Sequence, residues 1–231
     1  MVSISLKACF GCDESYLVSV DRENCYLSLE AKDAWIELSA LARLSGFDPG
    51  IVSGYRNFSR QLAIWNDKAE GRRPLLDDNG RLVDVFSLSD EEKMHHILRW
   101  SALPGTSRHH WGTDFDIYDR SRMPEGYPIQ LTPEETYGEG VFAPFHRWLD
   151  EYLARPDALF YRPYAVDLGG VAPEPWHLSF RPSAQKMETL LTLPALTSFL
   201  MDKPLVLKDV VLEHLPEIYN RYVVIESTCT N

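Results

Sequence analysis

Apolar residues recur at spacings of three and four between residues 27 and 46 (Leu27, Leu29, Ala31, Trp35, Leu38, Leu41, Ala42, Leu44), which predicts an amphipathic helix. Gly46 marks its end, and Pro49-Gly50 predicts a turn. Ile51-Val52-Ser53 then reads as a short strand, and helical spacing resumes from Ser59 to Lys68 with Gln61 in the first turn. The segment from Glu70 to Ser89 is rich in Gly, Pro, Asp and Arg and predicts a surface loop or an irregular insertion. Asp90 to Trp100 has a Ser89 or Asp90 cap, acidic residues in its first turn and Arg99 near its end, the charge order a helix dipole favours. Pro104-Gly105 stops that helix. After Gly112, the segment from Thr113 to Tyr118 alternates polar and apolar residues like a half-buried strand.

Further along, Pro124 to Gly140 predicts a loop and Ala143 to Ala154 a helix with Phe145, Trp148, Leu149 and Leu153 inward. Strands are expected at Phe160 to Ala165 and Trp176 to Phe180. A helical region follows from Ser183 to Met201, interrupted at Pro194. Val206 to Ile225 predicts another helix with a β-prone end at Tyr222-Val223-Val224-Ile225. Strands interleaved with helices, without a regular βαβ rhythm, predict an α+β fold in one domain over residues 1–231.

Composition narrows the function. With 45% hydrophobic and 25% charged residues, the 231-residue chain has an ordinary globular composition and is long enough to bury a core. Its net charge of −11 argues against nucleic acid or an anionic membrane as the main partner. No apolar run approaches the ~18 residues of a transmembrane helix. Met1 to Val20 lacks a basic segment followed by an apolar one, and Leu6-Lys7-Ala8-Cys9 is no lipoprotein signal without them. The chain as written is therefore expected in the cytoplasm, or in the periplasm or cell envelope if a leader is missing from it. Four cysteines imply no disulfide framework. Free thiols are the expectation, with a small structural metal site at Cys9, Cys12 and Cys25 as the alternative.

Three separated segments carry chemistry: Ser53-Gly54-Tyr55-Arg56, then Ser107-Arg108-His109-His110-Trp111-Gly112-Thr113-Asp114-Phe115-Asp116, then Glu174-Pro175-Trp176-His177. Two histidines and an aspartate can hold zinc and leave a fourth position open, and a glutamate three residues before the last histidine can act as base. On a strand, Asp114 and Asp116 project to one face and Phe115 and Ile117 to the other. The competing reading of that segment is a buried His bonded to an Asp. Pro175 excludes a helix interior, so Glu174 and His177 are expected on an extended loop entering a strand, on either side of one metal. Arg56 offers bidentate geometry for a carboxylate or a developing oxyanion, or is a solvated surface residue. Gln61 supports it from the next helix or faces water. Trp176 walls the cleft or packs as core. Of the other histidines, His95, His96, His146 and His214 are read as surface or core, while His110 could line the cleft beside His109.

Together the three segments resemble the zinc D-alanyl-D-alanine peptidase family, which includes the vancomycin-resistance D,D-carboxypeptidases and related L,D-carboxypeptidases. Its pattern is Ser-Gly-Tyr-Arg, then Ser-x-His-x-x-Gly-x-Ala-x-Asp, then Glu-x-x-His, in that order. The resemblance implies a Hedgehog/DD-peptidase-like fold, a central antiparallel sheet flanked by helices. It implies His109, Asp116 and His177 as ligands of one zinc ion per chain and Glu174 as the base. Arg56 would stabilise the scissile carbonyl or the substrate carboxylate. Ser107, Tyr55, Gln61 and Trp176 would line the substrate site. The implied partner is a muropeptide or peptidoglycan stem peptide, cut at its C-terminal D-alanine. A peptidoglycan endopeptidase of the same family and a non-catalytic zinc-containing binding module are the alternatives. One position departs from the pattern: Asp114 stands where the family has alanine. It could raise local negative charge, tune the attacking water or bond a neighbouring Arg or His.

Overall fold

A computed structural model describes residues 5–225. Ser5 caps a short α1 (Leu6–Cys9), and a hairpin of β1 (Leu17–Ser19) and β2 (Tyr26–Ser28) leads into α2 (Leu29–Leu44). The Ser28 side chain accepts from the Ala31 N–H at the start of α2, satisfying a donor the helix leaves open. Next come β3 (Pro49–Ser53) and α3 (Phe58–Ala69), the latter capped by Asn57. Pro49 and Gly50 do not form the expected turn. They pair with Asp119 and Tyr118 as the outer end of β3, and the chain reverses earlier, at Ser45-Gly46.

The stretch from Glu70 to Ser89, expected as a loop or irregular insertion, contains a small hairpin, β4 (Leu75–Leu76) with β5 (Leu82–Val83). Two-residue strands carry no periodicity to read. Their turn is set by Asp77, whose carboxylate accepts from the Asn79 and Arg81 N–H groups. Helix α4 (Asp90–Trp100) begins with a full capping box, Ser89 and Glu92 each bonding the other's backbone. After β6 (Asp114–Asp119), a one-turn helix α5 (Pro133–Thr136) interrupts the expected loop, and α6 (Ala143–Leu153) follows. Then come β7 (Phe160–Tyr161), shorter than expected, β8 (His177–Phe180), α7 (Arg181–Leu190) and α8 (Leu193–Leu200).

The chain closes with α9 (Lys208–Glu213), α10 (Leu215–Ile218) and a wide helical turn at Tyr219–Val223. The β-prone end expected at residues 222–225 is thus helical at its start. Tyr222 is buried against the helical core, and burial there overrides strand propensity. No helix among the described residues is long and apolar enough to cross a membrane.

Four strands form a central antiparallel sheet in the order β3-β6-β8-β7. Phe115, Ile117, Leu178 and Phe180 point to one face and pack with Trp35, Leu38, Phe145 and Leu149 of α2 and α6. A second apolar cluster gathers Trp65, Met94, Ile97, Met187, Leu196 and Leu215 from the remaining helices, with Trp111 at its edge. Between them, the other face of β6 and β8 presents Asp114, Asp116, His177 and Ser179, all buried. The alternation in β6 therefore separates two buried environments, one apolar and one polar, rather than core from solvent.

Candidate metal centre and active site

Strand register assembles the site. Asp116 of β6 pairs with His177 of β8 on one side and with Ser53 of β3 on the other, after a register shift between Ile51 and Ser53. Directly opposed residues on antiparallel strands share a face, so Asp116 and His177 meet without any loop having to place them.

His109 arrives from a 3-10 turn, Arg108–Trp111. Gly112 ends that turn in the left-handed region at φ 64°. A Cβ there would lie 2.5 Å from Leu17 Cδ2, so glycine also lets the β1–β2 hairpin close over the turn. The turn is tied to the Arg56 segment twice. Arg56 N–H donates to the His109 carbonyl at 3.0 Å, and His110 Nδ1 lies 2.6 Å from the Arg56 carbonyl. His110 also accepts at Nε2 from the Gly105 N–H, so it clamps backbone rather than lining the cleft.

His109, Asp116 and His177 are all buried, and one potential ligand atom from each lies within 4.8 Å of the others. His109 Nε2 is 3.4 Å from Asp116 Oδ2, and His177 Nδ1 is 3.4 Å from Asp116 Oδ1. The far nitrogen of His109, Nδ1, is 2.9 Å from the Gly54 carbonyl; it donates there and leaves Nε2 a lone pair toward Asp116. A side chain on Gly54 would sit 3.0 Å from Cys25 Cβ and 3.1 Å from the Tyr26 carbonyl, so this acceptor needs glycine's close approach.

Charge at the centre is equally specific. Burial lowers the His109 pKa to about 3, against the pull of Asp116, so it stands as a neutral imidazole. Burial also opposes a charge on Asp116, but His109, His177 and Arg56 hold its carboxyl below the usual range. His177 goes the other way. Burial would lower its pKa, yet Asp114, Asp116 and Glu174 together push it well above the ordinary value. These carboxylates draw positive charge to one point. Its Nδ1 is a fully buried nitrogen with no hydrogen-bond partner among the described residues. A divalent cation between His109, Asp116 and His177 would answer both features, and two imidazoles with one carboxylate suit zinc.

Glu174 reaches the same point by a tight turn rather than an extended loop. The His177 N–H donates to the Glu174 carbonyl at 3.1 Å, with Pro175 in the second position of the turn where its fixed φ fits. The Glu174 N–H is anchored on the Tyr164 carbonyl. Folded back this way, Glu174 Oε2 lies 3.1 Å from His177 Nδ1 while the side chain stays 21% exposed. It is the carboxylate of the site that solvent can reach.

Arg56 is not a surface residue. Its Nη1 donates to Gln61 Oε1 at 2.8 Å and its Nη2 to Ser53 Oγ at 3.3 Å. Gln61 is fully buried and passes its own N–H to the Ala102 carbonyl at 2.7 Å. The guanidinium charge acts on Asp116 and Glu174. Ser107 is buried at the head of the 3-10 turn, its carbonyl accepting from the His110 N–H, and Trp176 is buried beside β6 with its carbonyl on the Ile117 N–H. Tyr55 turns away, its hydroxyl donating to the Gly11 carbonyl at 3.3 Å.

Residues 24–183 match the family model described as VanY, D-alanyl-D-alanine carboxypeptidase, and that span covers more than half of the chain. The chain belongs to the VanY D-alanyl-D-alanine carboxypeptidase family. A D-alanyl-D-alanine carboxypeptidase of Enterococcus faecalis is 28% identical over 145 residues, 62% of this chain and 44% of that enzyme. A Haemophilus influenzae protein of uncharacterised function is 39% identical over 87 residues, 38% of this chain, and the match spans 60% of its length. Among solved structures, an alanine variant of the vancomycin-resistance D,D-pentapeptidase VanY in complex with Zn(II) superposes with a TM-score of 0.50 at 23% identity, over 78% of this chain and 93% of that one. The L,D-carboxypeptidase LdcB gives 0.51 at 23% identity, over 77% and 75%. At such identities the superpositions establish a shared VanY-like fold.

Within that family frame, Asp114 takes one of the roles its departure from the family pattern left open, bonding both a neighbouring arginine and a histidine, and Arg108 emerges beside it as a residue the motifs did not single out. Asp114 is fully buried, with Oδ1 3.1 Å from His177 Nε2. Arg108 is buried beside it and donates from Nε to Asp114 Oδ1 at 2.7 Å, from Nη1 to Glu188, and from Nη2 to Tyr161 and Ser179. The polar alternation of β6 put Asp114 on the site face, but nothing local signalled the partners of Arg108, which come from β8, β7 and α7. The alternative metal site at the cysteines does not assemble. The Cys9 and Cys12 thiols point to the Met187 and Phe10 carbonyls, and the described residues hold just one cluster with metal-ligand spacing. Cys9, Cys12 and Cys25 are free thiols; Cys229 lies outside the described residues.

Proposed function

We propose that the chain is a zinc carboxypeptidase that hydrolyses the amide bond before the C-terminal D-alanine of peptidoglycan stem peptides. The observation that carries this reading is a solvent-reachable carboxylate, Glu174, held 3.1 Å from a nitrogen of the His109, Asp116 and His177 cluster. A purely structural site has no use for that carboxylate, nor for a half-buried arginine whose charge acts on it.

His109 Nε2, His177 Nδ1 and an Asp116 oxygen would hold the ion, one per chain. Bound there, zinc supplies Lewis acidity, polarising a carbonyl and making water a better acid near neutral pH. Glu174 accepts the proton of the attacking water at its carboxylate and returns it to the departing amine. Arg56, held rigid by Gln61 and Ser53, donates toward the carbonyl oxygen as negative charge develops on it. Burial of His109 and Asp116, with Arg56 half-buried, lowers the local dielectric, so each interaction is stronger than it would be in water. Ser107 and Trp176, both buried next to the ligands, would bound the pocket for the terminal residue.

The test is to incubate zinc-loaded protein with pentapeptide and tetrapeptide muropeptides and read product masses. Loss of one alanine is expected, from the pentapeptide for D,D cleavage or from the tetrapeptide for L,D cleavage, and amidating the substrate's C-terminus should abolish it. An internal cut that survives amidation would establish an endopeptidase instead. Zinc binding with no cleavage of either peptide would leave a binding module.

A further inference from the structure

We infer that Asp114, held by Arg108, is a positioning residue for the metal centre: it fixes His177 in the tautomer that turns Nδ1 toward the ion. This rests on the reading of His109, Asp116 and His177 as zinc ligands. Asp114 occupies the position at which the family pattern has alanine, so the device belongs to this chain rather than to the pattern.

The two ligand histidines present opposite nitrogens to the site. His109 is steered from behind by a backbone carbonyl, Gly54, at 2.9 Å from Nδ1. His177 is steered from behind by a carboxylate, Asp114 Oδ1, at 3.1 Å from Nε2. Asp114 is in no position to donate. Its Oδ1 already accepts from Arg108 Nε at 2.7 Å, and its Oδ2 accepts from Thr113 Oγ1 at 2.6 Å. The hydrogen of the shared bond therefore sits on His177 Nε2, and Nδ1 is the nitrogen left to give its lone pair to a bound metal. That nitrogen is the buried, unpartnered one facing Asp116 and Glu174. A carboxylate behind a ligand imidazole also makes it more basic than a carbonyl does, which strengthens its bond to a metal.

A second carboxylate two residues from a ligand would overload the site with negative charge. Arg108 removes that cost. Its side chain is 3% exposed, its Nε and both terminal nitrogens have partners, and it stacks on Trp111 at 4.5 Å from the ring centroid. Asp114 and Arg108 form a neutral unit that supplies a strong acceptor without net charge. Ser179 Oγ, opposite Asp114 in the β6–β8 register, locks the same guanidinium to the strand carrying His177.

Zinc affinity by chelator competition, thermal stability of the zinc-free protein and the His177 imidazole signals in long-range proton–nitrogen NMR test this in four proteins: wild type, D114A, D114N and the double variant R108M/D114A. The expected loss of zinc affinity in D114A is about 10- to 100-fold, the usual effect of removing such a partner. D114A should also lose stability by stranding Arg108. The double variant should regain stability without regaining zinc affinity, since it restores charge balance but not the acceptor. D114N keeps an oxygen for His177 and Arg108, with Thr113 turning to accept, and should bind zinc more tightly than D114A. In zinc-loaded wild type the NMR signals should show the hydrogen on Nε2, and a hydrogen on Nδ1 there would overturn the inference. Zinc affinity within about twofold of wild type in D114A, or full recovery in the double variant, would overturn the inference and reduce Asp114 to a counter-ion for Arg108. A wild-type protein that fails to take up zinc would overturn the metal-centre reading itself.

Discussion

Asp116 and His177 face each other across β6 and β8 as a directly paired residue couple, with His177 Nδ1 3.4 Å from Asp116 Oδ1. Two of the three candidate ligands are thus set by sheet register, and the sheet is sealed on its other face by Phe115, Leu178 and Phe180. A one-residue slip of β8 would send His177 into that apolar layer. The metal centre is therefore as stable as the core it is built on. The third ligand, His109, depends instead on a turn tied to Arg56 and Gly54.

It follows that His177→Ala should abolish tight zinc binding, since it removes one of three protein ligands. A drop of at least 100-fold in affinity is expected by chelator competition, with far-ultraviolet circular dichroism unchanged. Full metal occupancy after this change would remove His177 from the ligand set.

Gln61 acts one step behind the chemistry. It is fully buried and holds Arg56 Nη1 at 2.8 Å while bonding the Ala102 carbonyl. Gln61→Leu should lower kcat about tenfold or more, leave zinc content unchanged and cost about 1–3 kcal/mol of stability from the unpaired groups. A rise in KM with kcat preserved would show instead that Arg56 captures the substrate carboxylate.

The His110 imidazole links two backbone segments beside the site, and burial lowers its pKa from 6.5 to about 4. The unfolded chain takes up this proton near pH 6.5 and the folded chain only near 4. Its contribution to stability is therefore complete above pH 6.5, shrinks as pH falls through that window and is gone near 4, about 3 kcal/mol in all. Zinc-free wild type should lose stability more steeply between pH 7 and 4 than His110→Gln, measured by urea unfolding at each pH. Identical slopes would assign the titration to other groups.

How much of this was legible in the sequence follows from where each interaction lives. The caps and periodicity of α2, α3, α4 and α6 are local, and those helices fall within a residue or two of their expected bounds. The order and spacing of the three motifs named the residues that the fold brings together. Interactions between distant segments were not legible: the paired register of Asp116 and His177, the Tyr161, Ser179 and Glu188 cage around Arg108, and the helical end at Tyr222. The Glu174 turn lies between these cases. Pro175 excluded a helix, but only the His177 N–H donating to the Glu174 carbonyl shows that the chain folds back on itself.

The proposed hydrolysis depends on Glu174 as a base beside a metal it does not ligate. The decisive measurement is zinc content and muropeptide turnover of Glu174→Gln, determined on the same sample. Zinc stoichiometry equal to wild type with kcat reduced by about 10²- to 10⁴-fold is the predicted result. Loss of zinc together with activity would make Glu174 a ligand, and retained turnover would remove it from the reaction.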